Sequence, residues 1–343
     1  MILEIKKIIK ETTDTKSFVL EDTGNDEVHY KSGQFLTFQF STRNGEEVRR
    51  SYSLSSSPEL GEPLTITVKR IANGAFSRQL HDIFLTGDKL QSIGASGFFT
   101  LPENINAFDQ LIFFAAGSGI VPVYGMIKTA LHKHSSIPVV LIYSNKNEKH
   151  TIFYNELKTL SRKFPGRFKI EFLFSSSPDL ETARLNLEYV EKLFNKYASS
   201  SWRQRVLYYL CGPYDYMRMI TIKLLVQGVS QENIRKEIFY VQKSSEKLLP
   251  PDTQPHQVIL NIHDRTHSFI SSYPSTILQT AKRNGFPIPY SCEAGQCGTC
   301  AATCISGEVW MSHNEVLLDD EIAKGRVLTC TGYAVGGDVE LKI

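Results

Sequence analysis

The chain has 343 residues, with 38 Lys or Arg against 36 Asp or Glu, and a formal charge of +2. This length allows two or three domains that each bury a core, and the near balance of charge argues against a nucleic-acid partner. Residues 252–343 hold ten acids against six Lys or Arg, a net of −4, which leaves +6 for residues 1–251. The acidic C-terminal part could face a basic partner or simply be a solvated surface.

The N-terminal segment and the most apolar run give no sign of export or of a membrane span. Glu4 places an acid early in the chain, and no apolar signal segment follows it. The run from residue 111 to 127 contains Gly117, Gly119 and Pro122 and is too short to cross a bilayer. We therefore expect a cytoplasmic protein whose cysteines are reduced.

Residues 1–103 are predicted to form a small antiparallel β-barrel. Glycines separate short segments that have apolar residues at alternate positions, which is typical of half-buried antiparallel strands. The predicted elements are strands at Leu3–Ile9, Lys16–Leu20, Phe35–Phe40, Arg50–Ser55 and Leu64–Lys69, and a helix at Ala75–Ile83.

A flavin site is predicted on the fourth of these strands, at Arg50-Ser51-Tyr52-Ser53. A fixed cation, an aromatic ring and a hydroxyl on one strand suit the phosphate, the ring face and the polar edge of a flavin. The segment Gly74–Ser77 joins a glycine to a helix start, which can receive a pyrophosphate. Taken alone, Arg50 and Tyr52 could also be exposed residues of an ordinary strand.

Residues 104–240 are predicted to form a doubly wound α/β domain. Continuous apolar segments alternate with helical patterns, which indicates a parallel sheet covered on both faces. The predicted strands are residues 110–115, 138–143, 168–174 and 205–210, and the predicted helices are 122–133, 151–163, 186–197 and 213–227.

The first strand of this domain leads into Gly117-Ser118-Gly119 and then a helix. Glycines at such a turn let a pyrophosphate approach the backbone, and the helix start supplies N–H groups. This is not the full dinucleotide-binding fingerprint, and a tight turn that serves only packing remains an alternative. Cys211-Gly212-Pro213, after the fourth strand, is expected at the carboxyl edge of the sheet, where open α/β sheets bind ligands.

Residues 241–255 are rich in Pro, Lys and Ser and are predicted to be a linker. Residues 256–343 are predicted to form a third domain. Its predicted elements are strands near 258–263 and 267–271, a helix at 275–284, and a last strand at Val339–Lys342.

The third domain contains a predicted iron–sulfur site. Cys292, Cys297 and Cys300 have C-x4-C-x2-C spacing, and Cys330 follows 30 positions after the third. This is the ligand pattern of plant-type [2Fe–2S] clusters, and small residues between the cysteines let backbone N–H groups point at sulfur. We expect Cys330 on a later strand and Cys304, which lies outside the pattern, in the core.

Other cysteine sites fit this pattern less well. Zinc sites use pairs of C-x2-C, and only one such pair is present. Disulfides need an oxidising compartment, and a Rieske cluster needs histidine ligands that this loop lacks.

Together these motifs resemble the ferredoxin–NADP reductase superfamily with a fused C-terminal plant-type ferredoxin, and especially oxygenase reductases of the phenylacetyl-CoA epoxidase type. The resemblance covers essentially the whole chain. It implies a multidomain protein: a flavin-binding antiparallel β-barrel at 1–103, an NAD(P)H-binding α/β domain with a parallel sheet at 104–240, a linker at 241–255, and an α+β ferredoxin-like (β-grasp) domain at 256–343. The motifs that carry it are Gly33-Gln34-Phe35, Arg50–Ser53, Gly74–Ser77, Tyr143–Lys146, Cys211–Pro213, Gly307–Val309 and Val327–Cys330.

The resemblance also implies a role for each matching residue. Tyr52 would stack on the flavin ring, Ser53 would hydrogen-bond near its N5, and Cys211 would lie near the nicotinamide. The implied FAD-binding residues are Arg50, Ser51, Tyr52, Ser53, Thr67, Val68, Lys69, Gly74, Ala75, Phe76 and Ser77. Those implied for the nicotinamide cofactor are Gly117, Ser118, Gly119, Cys211, Gly212 and Pro213, and Phe239 matches an aromatic residue close to the flavin.

One departure from the family concerns the choice between NADPH and NADH. Plant-type members have Ser-Arg after the third strand of the nucleotide domain to hold the 2′-phosphate, whereas this chain has Ser175-Ser176. Lys146 and Arg184 could replace that arginine, and no acid stands there to repel a phosphate. We therefore expect NADPH, although Lys146 could equally be a solvated lysine.

The predicted function is electron transfer from NAD(P)H through FAD to the cluster and on to an oxygenase component. A flavin accepts electrons in pairs and releases them singly, so it must stand between the nicotinamide and a one-electron cluster. A reductase for a desaturase, a cytochrome P450 or another ferredoxin-dependent partner is an alternative, as is a redox-sensing regulatory protein. Glu293 and Gln296, beside the cluster ligands, are predicted to lie on the surface that meets the acceptor.

Overall fold

The computed structural model describes residues 1–24, 28–41, 47–72, 74–134, 136–179, 183–197, 205–239, 248–262 and 265–343. The chain divides into two compact units, Met1–Phe239 and Tyr240–Ile343. Two sheets belong to the first unit and one to the second. The first part of the predicted linker, residues 241–247, lies outside the described residues, and the domain boundaries stay predictions.

The first sheet is antiparallel and closes on itself. Its strands are β1 Ile2–Lys10, β2 Thr15–Asp22, β3 Phe35–Ser41, β4 Glu47–Ser53, β5 Thr65–Lys69 and β6 Lys89–Ser96, and helix α1 is Ala75–Asp82. Among the described residues the strand order is β4-β3-β6-β1-β2-β5. A bridge between Leu54 and Ile66 connects the two edge strands, so the sheet forms a barrel around a buried apolar core.

Strand β6 is absent from the sequence-based expectation. Its segment contains Ser92 and Gly94 and lacks a sustained apolar alternation. Tertiary pairing with β1 and β3 makes it a strand, and a register shift opposite Thr37 accommodates Gly94, whose φ is +110°. The irregular pairing explains why the local pattern is weak.

The second sheet is parallel throughout. Its strands are β7 Gln110–Ala116, β8 Val139–Asn145, β9 Phe168–Phe174, β10 Val206–Cys211 and β11 Ile234–Glu237, and its helices are α2 Ile120–Lys133, α3 Tyr154–Lys163, α4 Leu187–Tyr197 and α5 Tyr214–Val226. In the described part of the chain the strand order is β11-β10-β7-β8-β9. The order reverses between β7 and β10, which creates a crevice at their carboxyl ends.

Both faces of this sheet are buried. Leu111 and Phe113 of β7 pack with residues of α2 and α3, whereas Ile112 and Phe114 pack with residues of α4 and α5. Burial on two faces explains the continuous apolar strands in the sequence. Strand β11 is only four residues long and gave no sequence signal of its own.

A buried hydroxyl network connects helix α2 with the barrel. The Thr129 hydroxyl lies 2.7 Å from the hydroxyls of both Ser32 and Ser57, and it donates to the Glu59 carboxylate at 3.3 Å. Ser32 donates to the same carboxylate at 2.7 Å. Because Thr129, Ser32 and Ser57 are almost fully buried, each lost partner would leave an unsatisfied polar atom.

A close backbone approach accompanies this network. A Cβ on Gly125 of α2 would lie 2.9 Å from the Ser56 carbonyl oxygen, so the helix needs glycine here. Lys128, one turn along, forms an ion pair with Glu62, which also accepts from the Ser57 N–H at 2.8 Å. The parallel-sheet part and the barrel are therefore fixed against each other within the first unit.

The third sheet belongs to the second unit. Its strands are β12 His256–Ile262, β13 Arg265–Ser271, β14 Ala301–Met311, β15 Arg326–Leu328 and β16 Gly332–Lys342, and its helices are α6 Ile277–Arg283 and α7 Asp319–Ala323. The order among its described strands is β13-β12-β16-β14-β15. No helix in the described part of the chain is both long and apolar enough to span a bilayer.

Two cysteine predictions are wrong. Cys330 lies in the turn between β15 and β16 rather than on a strand. Cys304 is on β14 but is partly exposed, with its sulfur 3.4 Å from the Ser306 carbonyl oxygen. One face of strand β14 is only partly covered at Cys304. The residue type alone predicted burial, because cysteine is usually buried.

Replacing Thr129 by Val should destabilise the first unit by about 1–3 kcal/mol, because Ser32 and Ser57 lose a buried partner. Urea unfolding followed by circular dichroism measures the loss. Thr159→Val is the matched control, since the Thr159 hydroxyl bonds only the Asn155 carbonyl on an exposed helix face, and it should change stability by less than about 0.5 kcal/mol. Equal effects of the two substitutions would contradict the stabilising role of the buried hydroxyl network.

Candidate functional site

The four predicted cluster ligands come together from two segments. The Cys292 side chain contacts those of Cys297 and Cys330, and the Cys300 side chain contacts that of Cys330. The hydrogen bonds from Cys297 and then Cys330 hold the pKa of the Cys292 thiol well below its usual range. The pKa values of Cys297 and Cys330 are raised by the same contacts. Thiols gathered in this way ionise readily when a metal binds them.

The backbone around these thiols is shaped to surround them. The Ala294 N–H donates to the Cys292 sulfur at 3.4 Å. Gly295 and Gly298 have φ values of +72° and +73°, and a Cβ on Gly295 would lie 2.6 Å from the His313 carbonyl oxygen. Thr329, beside the fourth cysteine, donates its hydroxyl to the Cys300 carbonyl at 3.0 Å. The loop therefore fits a group held by thiolates and N–H donors.

The contacts among the four thiols are compatible with a two-iron cluster. They include one pair in the loop, Cys292 and Cys297, and one pair across the two segments, Cys300 and Cys330, and Cys292 also contacts Cys330. Two terminal thiolates on each iron is the requirement of a [2Fe–2S] cluster.

The two residues predicted to face the acceptor differ in exposure. Glu293 is partly exposed and forms an ion pair with Lys282 at 3.0 Å. Gln296 is only 7% exposed, and its amide donates to Glu315 at 3.4 Å. The prediction of a surface role for Gln296 is therefore wrong: the turn of the loop directs its side chain inward.

The predicted flavin residues of β4 and α1 lie together. The Tyr52 ring packs between those of Phe38 and Phe76, with centroids 6.2 and 5.7 Å away. Burial raises the pKa of Tyr52, and the nearby Arg50 guanidinium opposes that rise. Arg50 itself is exposed and donates to the Arg49 carbonyl at 2.8 Å. An exposed cation beside a half-buried aromatic ring fits a phosphate next to a ring system.

The other strand residues predicted to contact the flavin are mostly buried. Ser53 and Thr67 are 5% and 4% exposed, and the Thr67 hydroxyl donates to Ser55 at 2.8 Å. The Val68 carbonyl accepts from His81 Nε2 at 2.7 Å, which leaves that histidine protonated on Nε2. Ser51 has a hydroxyl contact with Thr37 at 2.9 Å, and Lys69 forms an ion pair with Asp14 at 3.5 Å.

Gly74 and Ser77 build the predicted pyrophosphate turn. The Ser77 hydroxyl donates to the Gly74 carbonyl at 3.3 Å, and a Cβ on Gly74 would lie 2.2 Å from the Ser77 oxygen. A larger residue at position 74 would therefore have to displace the side chains of Ser77 and Ile71, and the first N–H groups of an α-helix have no partner within the helix. Asn73 and the side chain of Ala75 lie outside the described residues.

The predicted nucleotide loop occupies the crevice at the reversal of the second sheet. Gly117 has φ +54°, and a Cβ there would meet no atom within 4 Å, so the backbone borders open space. A Cβ on Gly119 would instead lie 2.0 Å from the Cys211 carbonyl oxygen. The two glycines thus have different roles. Gly119 lets its loop pack closely against the Cys211 backbone, and Gly117 gives a ligand access to the backbone.

Tyr143, which sequence reasoning identifies only as part of a family motif and without a role, fixes this loop. The Tyr143 hydroxyl donates to the Gly117 carbonyl at 3.0 Å, and burial raises the pKa of Tyr143. Tyr216 of α5 similarly donates to the Ala115 carbonyl at 3.2 Å. The available signal was a tyrosine at the carboxyl end of an otherwise aliphatic buried strand.

Cys211, predicted near the nicotinamide, is fully buried at the end of β10. Burial and then the Glu237 carboxylate raise the pKa of the Cys211 thiol, so it stays protonated at neutral pH. Gly212 is half-buried, Pro213 is exposed at the start of α5, and Phe239 is 47% exposed two residues beyond β11. These residues share the carboxyl edge with the glycine loop because β10 pairs with both β7 and β11.

The residues predicted to hold a 2′-phosphate lie on adjacent strand ends. The Ser176 N–H donates to the Lys146 carbonyl at 3.0 Å, and the Ser175 N–H donates to the Asn145 carbonyl at 2.9 Å. Lys146 and both serines are exposed. Arg184 is also exposed, on the segment that precedes α4.

Three family models match the chain in succession. The oxidoreductase FAD-binding domain matches residues 2–101, the oxidoreductase NAD-binding domain residues 113–221, and the 2Fe-2S iron-sulfur cluster binding domain residues 260–335. The predictions of FAD, a nicotinamide cofactor and a [2Fe–2S] cluster are thereby confirmed as domain assignments, in the predicted order.

Two relatives align along nearly the whole chain. One is the ferredoxin reductase component of 3-ketosteroid-9-alpha-monooxygenase from Mycolicibacterium smegmatis, which is 31% identical over 351 residues, covering 99% of this chain and 96% of the relative. The other is a subunit of 1,2-phenylacetyl-CoA epoxidase from Escherichia coli, 29% identical over 357 residues, covering 98% and 96%.

A solved structure has the same architecture. Phthalate dioxygenase reductase, described as a modular structure for electron transfer from pyridine nucleotides to [2Fe–2S], covers 100% of this chain and 98% of its own at TM-score 0.59 and 25% identity. The predicted fold class is therefore confirmed. The chain is an oxidoreductase that belongs to the ferredoxin–NADP reductase superfamily, among the members that join an FAD-binding, an NAD-binding and a [2Fe–2S] ferredoxin domain in one polypeptide.

Proposed function

We propose that this chain is the cytoplasmic reductase component of a multicomponent oxygenase, and that it moves electrons from NADPH through FAD and a [2Fe–2S] cluster to the oxygenase protein. The observation that carries the proposal is the convergence of Cys292, Cys297, Cys300 and Cys330 in the same chain as the FAD- and NAD-binding domains. When bound, the three groups supply the change from electron pairs to single electrons.

The protein's own residues bind and orient these groups. Arg50 neutralises a flavin phosphate, Tyr52 and Ser53 border its ring, and the first turn of α1 after Gly74 receives the pyrophosphate. Thr67, Val68 and Lys69 line the flavin through their backbone on β5. No side-chain acid or base is needed, because the rate of transfer between two rings depends on how they are stacked.

The nicotinamide cofactor is held at the crevice of the parallel sheet. Gly117 presents its backbone to the pyrophosphate, Gly119 packs against the Cys211 carbonyl, and the N-terminus of α2 adds N–H groups. The Cys211 side chain, fully buried and uncharged, would lie beneath the nicotinamide site, and the exposed Phe239 would lie close to the flavin.

The acceptor is proposed from the relatives. Those relatives are named as components of a steroid monooxygenase and of a phenylacetyl-CoA epoxidase. The low potential of plant-type clusters, about −400 mV, is sufficient to drive an oxygenase. The acceptor of this chain is accordingly an oxygenase, and the sequence resemblance favours one that acts on an acyl-CoA or an aromatic acid.

NADPH is the proposed donor because of the exposed residues at the edge next to the nucleotide loop. Lys146 is a cation there, and the Ser175-Ser176 turn that bonds to its strand end is uncharged. An acid at this edge would repel the 2′-phosphate, and neither serine supplies one. Arg184 adds a second cation from the segment before α4.

Cys297→Ser tests the proposed function. The variant should lose its cluster absorption and iron while keeping FAD, and NADPH should still reduce the flavin in stopped-flow experiments, because the cysteine lies in a separate unit. Cytochrome c reduction that depends on the cluster should fall with the iron content. Cys304→Ser is the matched control and should retain all three properties. A wild-type protein without flavin and iron absorption, or loss of flavin reduction in Cys297→Ser, would sink the proposal.

Tyr143→Phe should raise the KM for NADPH about fivefold, because the Gly117 carbonyl loses a hydrogen bond worth about 1 kcal/mol. Bound FAD should be unchanged. Steady-state kinetics with ferricyanide measure the effect. Tyr154→Phe, which removes an exposed hydroxyl bonded to Glu148, should leave the KM as it was; an unchanged KM in both variants would remove Tyr143 from the nucleotide site.

Lys146→Ala should raise the KM for NADPH about three- to tenfold and leave that for NADH nearly unchanged, since only NADPH carries the 2′-phosphate. Lys133→Ala is the control, because the exposed Lys133 lies at the C-terminal end of α2, away from the nucleotide loop. It should leave the KM for both cofactors unchanged. A similar rise for both cofactors in Lys146→Ala would refute its role in selecting NADPH.

A further inference from the structure

We propose that Lys282 of helix α6 is a positioning residue of the [2Fe–2S] centre: it holds the segment around Cys292 in place, and its charge makes the cluster easier to reduce. The inference rests on the cluster of the proposed function and goes beyond it, since Lys282 is not a ligand. Lys282 has two contacts with the cluster loop.

The first contact is an ion pair. Lys282 Nζ lies 3.0 Å from the Glu293 carboxylate, and the two side chains are 33% and 31% exposed. The second is a cation–π contact, with Nζ 3.8 Å from the centre of the Tyr290 ring. Tyr290 precedes Cys292 in the sequence and Glu293 follows it. One ammonium group therefore contacts residues on both sides of a cluster-binding cysteine.

The backbone between these contacts is held in an unusual conformation. Glu293 has φ +55°, and the only other residue besides glycine with positive φ in the described ranges is Phe153. An L residue needs support from its surroundings to stay in this region. The bend at Glu293 brings the Ala294 N–H to the Cys292 sulfur, and the Lys282 ion pair supplies the support.

Helix α6 is well placed to act on both ligand segments. A capping box between Thr276 and Gln279 fixes its start, and Ile277, Leu278 and Ala281 are buried. The Leu278 N–H donates to the Thr329 carbonyl at 2.9 Å, next to Cys330. The same short helix therefore touches the segment of the fourth cysteine through Leu278 and that of the first through Lys282.

The charge of Lys282 has a predictable sign of effect. Reduction adds one negative charge to a cluster that already carries thiolates, and a nearby cation stabilises that form. Glu293 acts in the opposite sense from a position adjacent to Cys292. As a pair the two charges nearly cancel, so removal of either one alone should shift the midpoint potential, in opposite directions.

The test is the midpoint potential of the cluster in the complete holoprotein, measured by dye-mediated titration, with the electron paramagnetic resonance spectrum of the reduced cluster as a check on its geometry. Lys282→Met should disfavour reduction about three- to tenfold, a decrease of about 30 to 60 mV for a one-electron couple. Glu293→Gln should raise the potential, and the double variant should return close to the wild-type value. Lys282→Arg should keep it.

Lys324→Met is the control, because it removes the same charge from an exposed pair with Asp320 on helix α7. Its potential should stay within the error of the wild type. An unchanged potential in Lys282→Met, or shifts of the same sign in Lys282→Met and Glu293→Gln, would overturn the inference. If Lys282→Met loses its cluster, the other two variants still decide: the potential should rise in Glu293→Gln and stay at the wild-type value in Lys282→Arg, and an unchanged or lower potential in Glu293→Gln would overturn the inference. A wild-type protein without a cluster would overturn the proposed function instead.

Discussion

The close packing of helix α2 against the barrel is the contact on which the flavin and nucleotide sites depend. Gly125 allows the helix to approach the Ser56 carbonyl, where a Cβ would lie only 2.9 Å away. This helix begins directly after the Gly117–Gly119 loop, and Ser56 lies three residues after the end of Arg50–Ser53. One contact therefore fixes the distance between the two proposed cofactor motifs. Stacking of two rings requires such a fixed distance, since transfer falls off quickly with misplacement.

The cluster unit solves a related problem by different means. Its four cysteines come from two segments that β14, α7 and β15 separate, and Gly295 and Gly298 give the backbone of the first segment more conformational freedom than other residues would. Helix α6 and the turn at Thr329 supply the missing restraint, with Leu278 bonded to one segment and Lys282 to the other. The glycines allow the loop to bend around the cysteine side chains, and the contacts from α6 and Thr329 hold it in one conformation.

Sequence reasoning succeeded where the signal is local and failed where it depends on distant partners. Cysteine spacing and the glycine turn after a buried strand predicted the [2Fe–2S] and NAD-binding domains that the family models match, because ligand geometry restricts the residues that can occur there. Strand β6 was missed because its irregular pairing with β1 and β3 weakens the apolar alternation. Cys330 was placed on a strand because no local pattern marks the turn. The contact between Tyr143 and Gly117 spans 26 positions and has no sequence signature.

The two units also differ in how polar groups are used, and this difference follows from burial. Thr129, Ser32 and Ser57 form a neutral network that is almost wholly buried, so its loss leaves unsatisfied atoms and lowers stability. The Lys282–Glu293 pair is about one third exposed, so water and salt weaken its contribution to stability. On the inference drawn above, its charges nevertheless act on the cluster beside them. A pair that contributes little to folding can therefore still determine how readily the neighbouring cluster accepts an electron, which allows the potential to change without disturbing the fold.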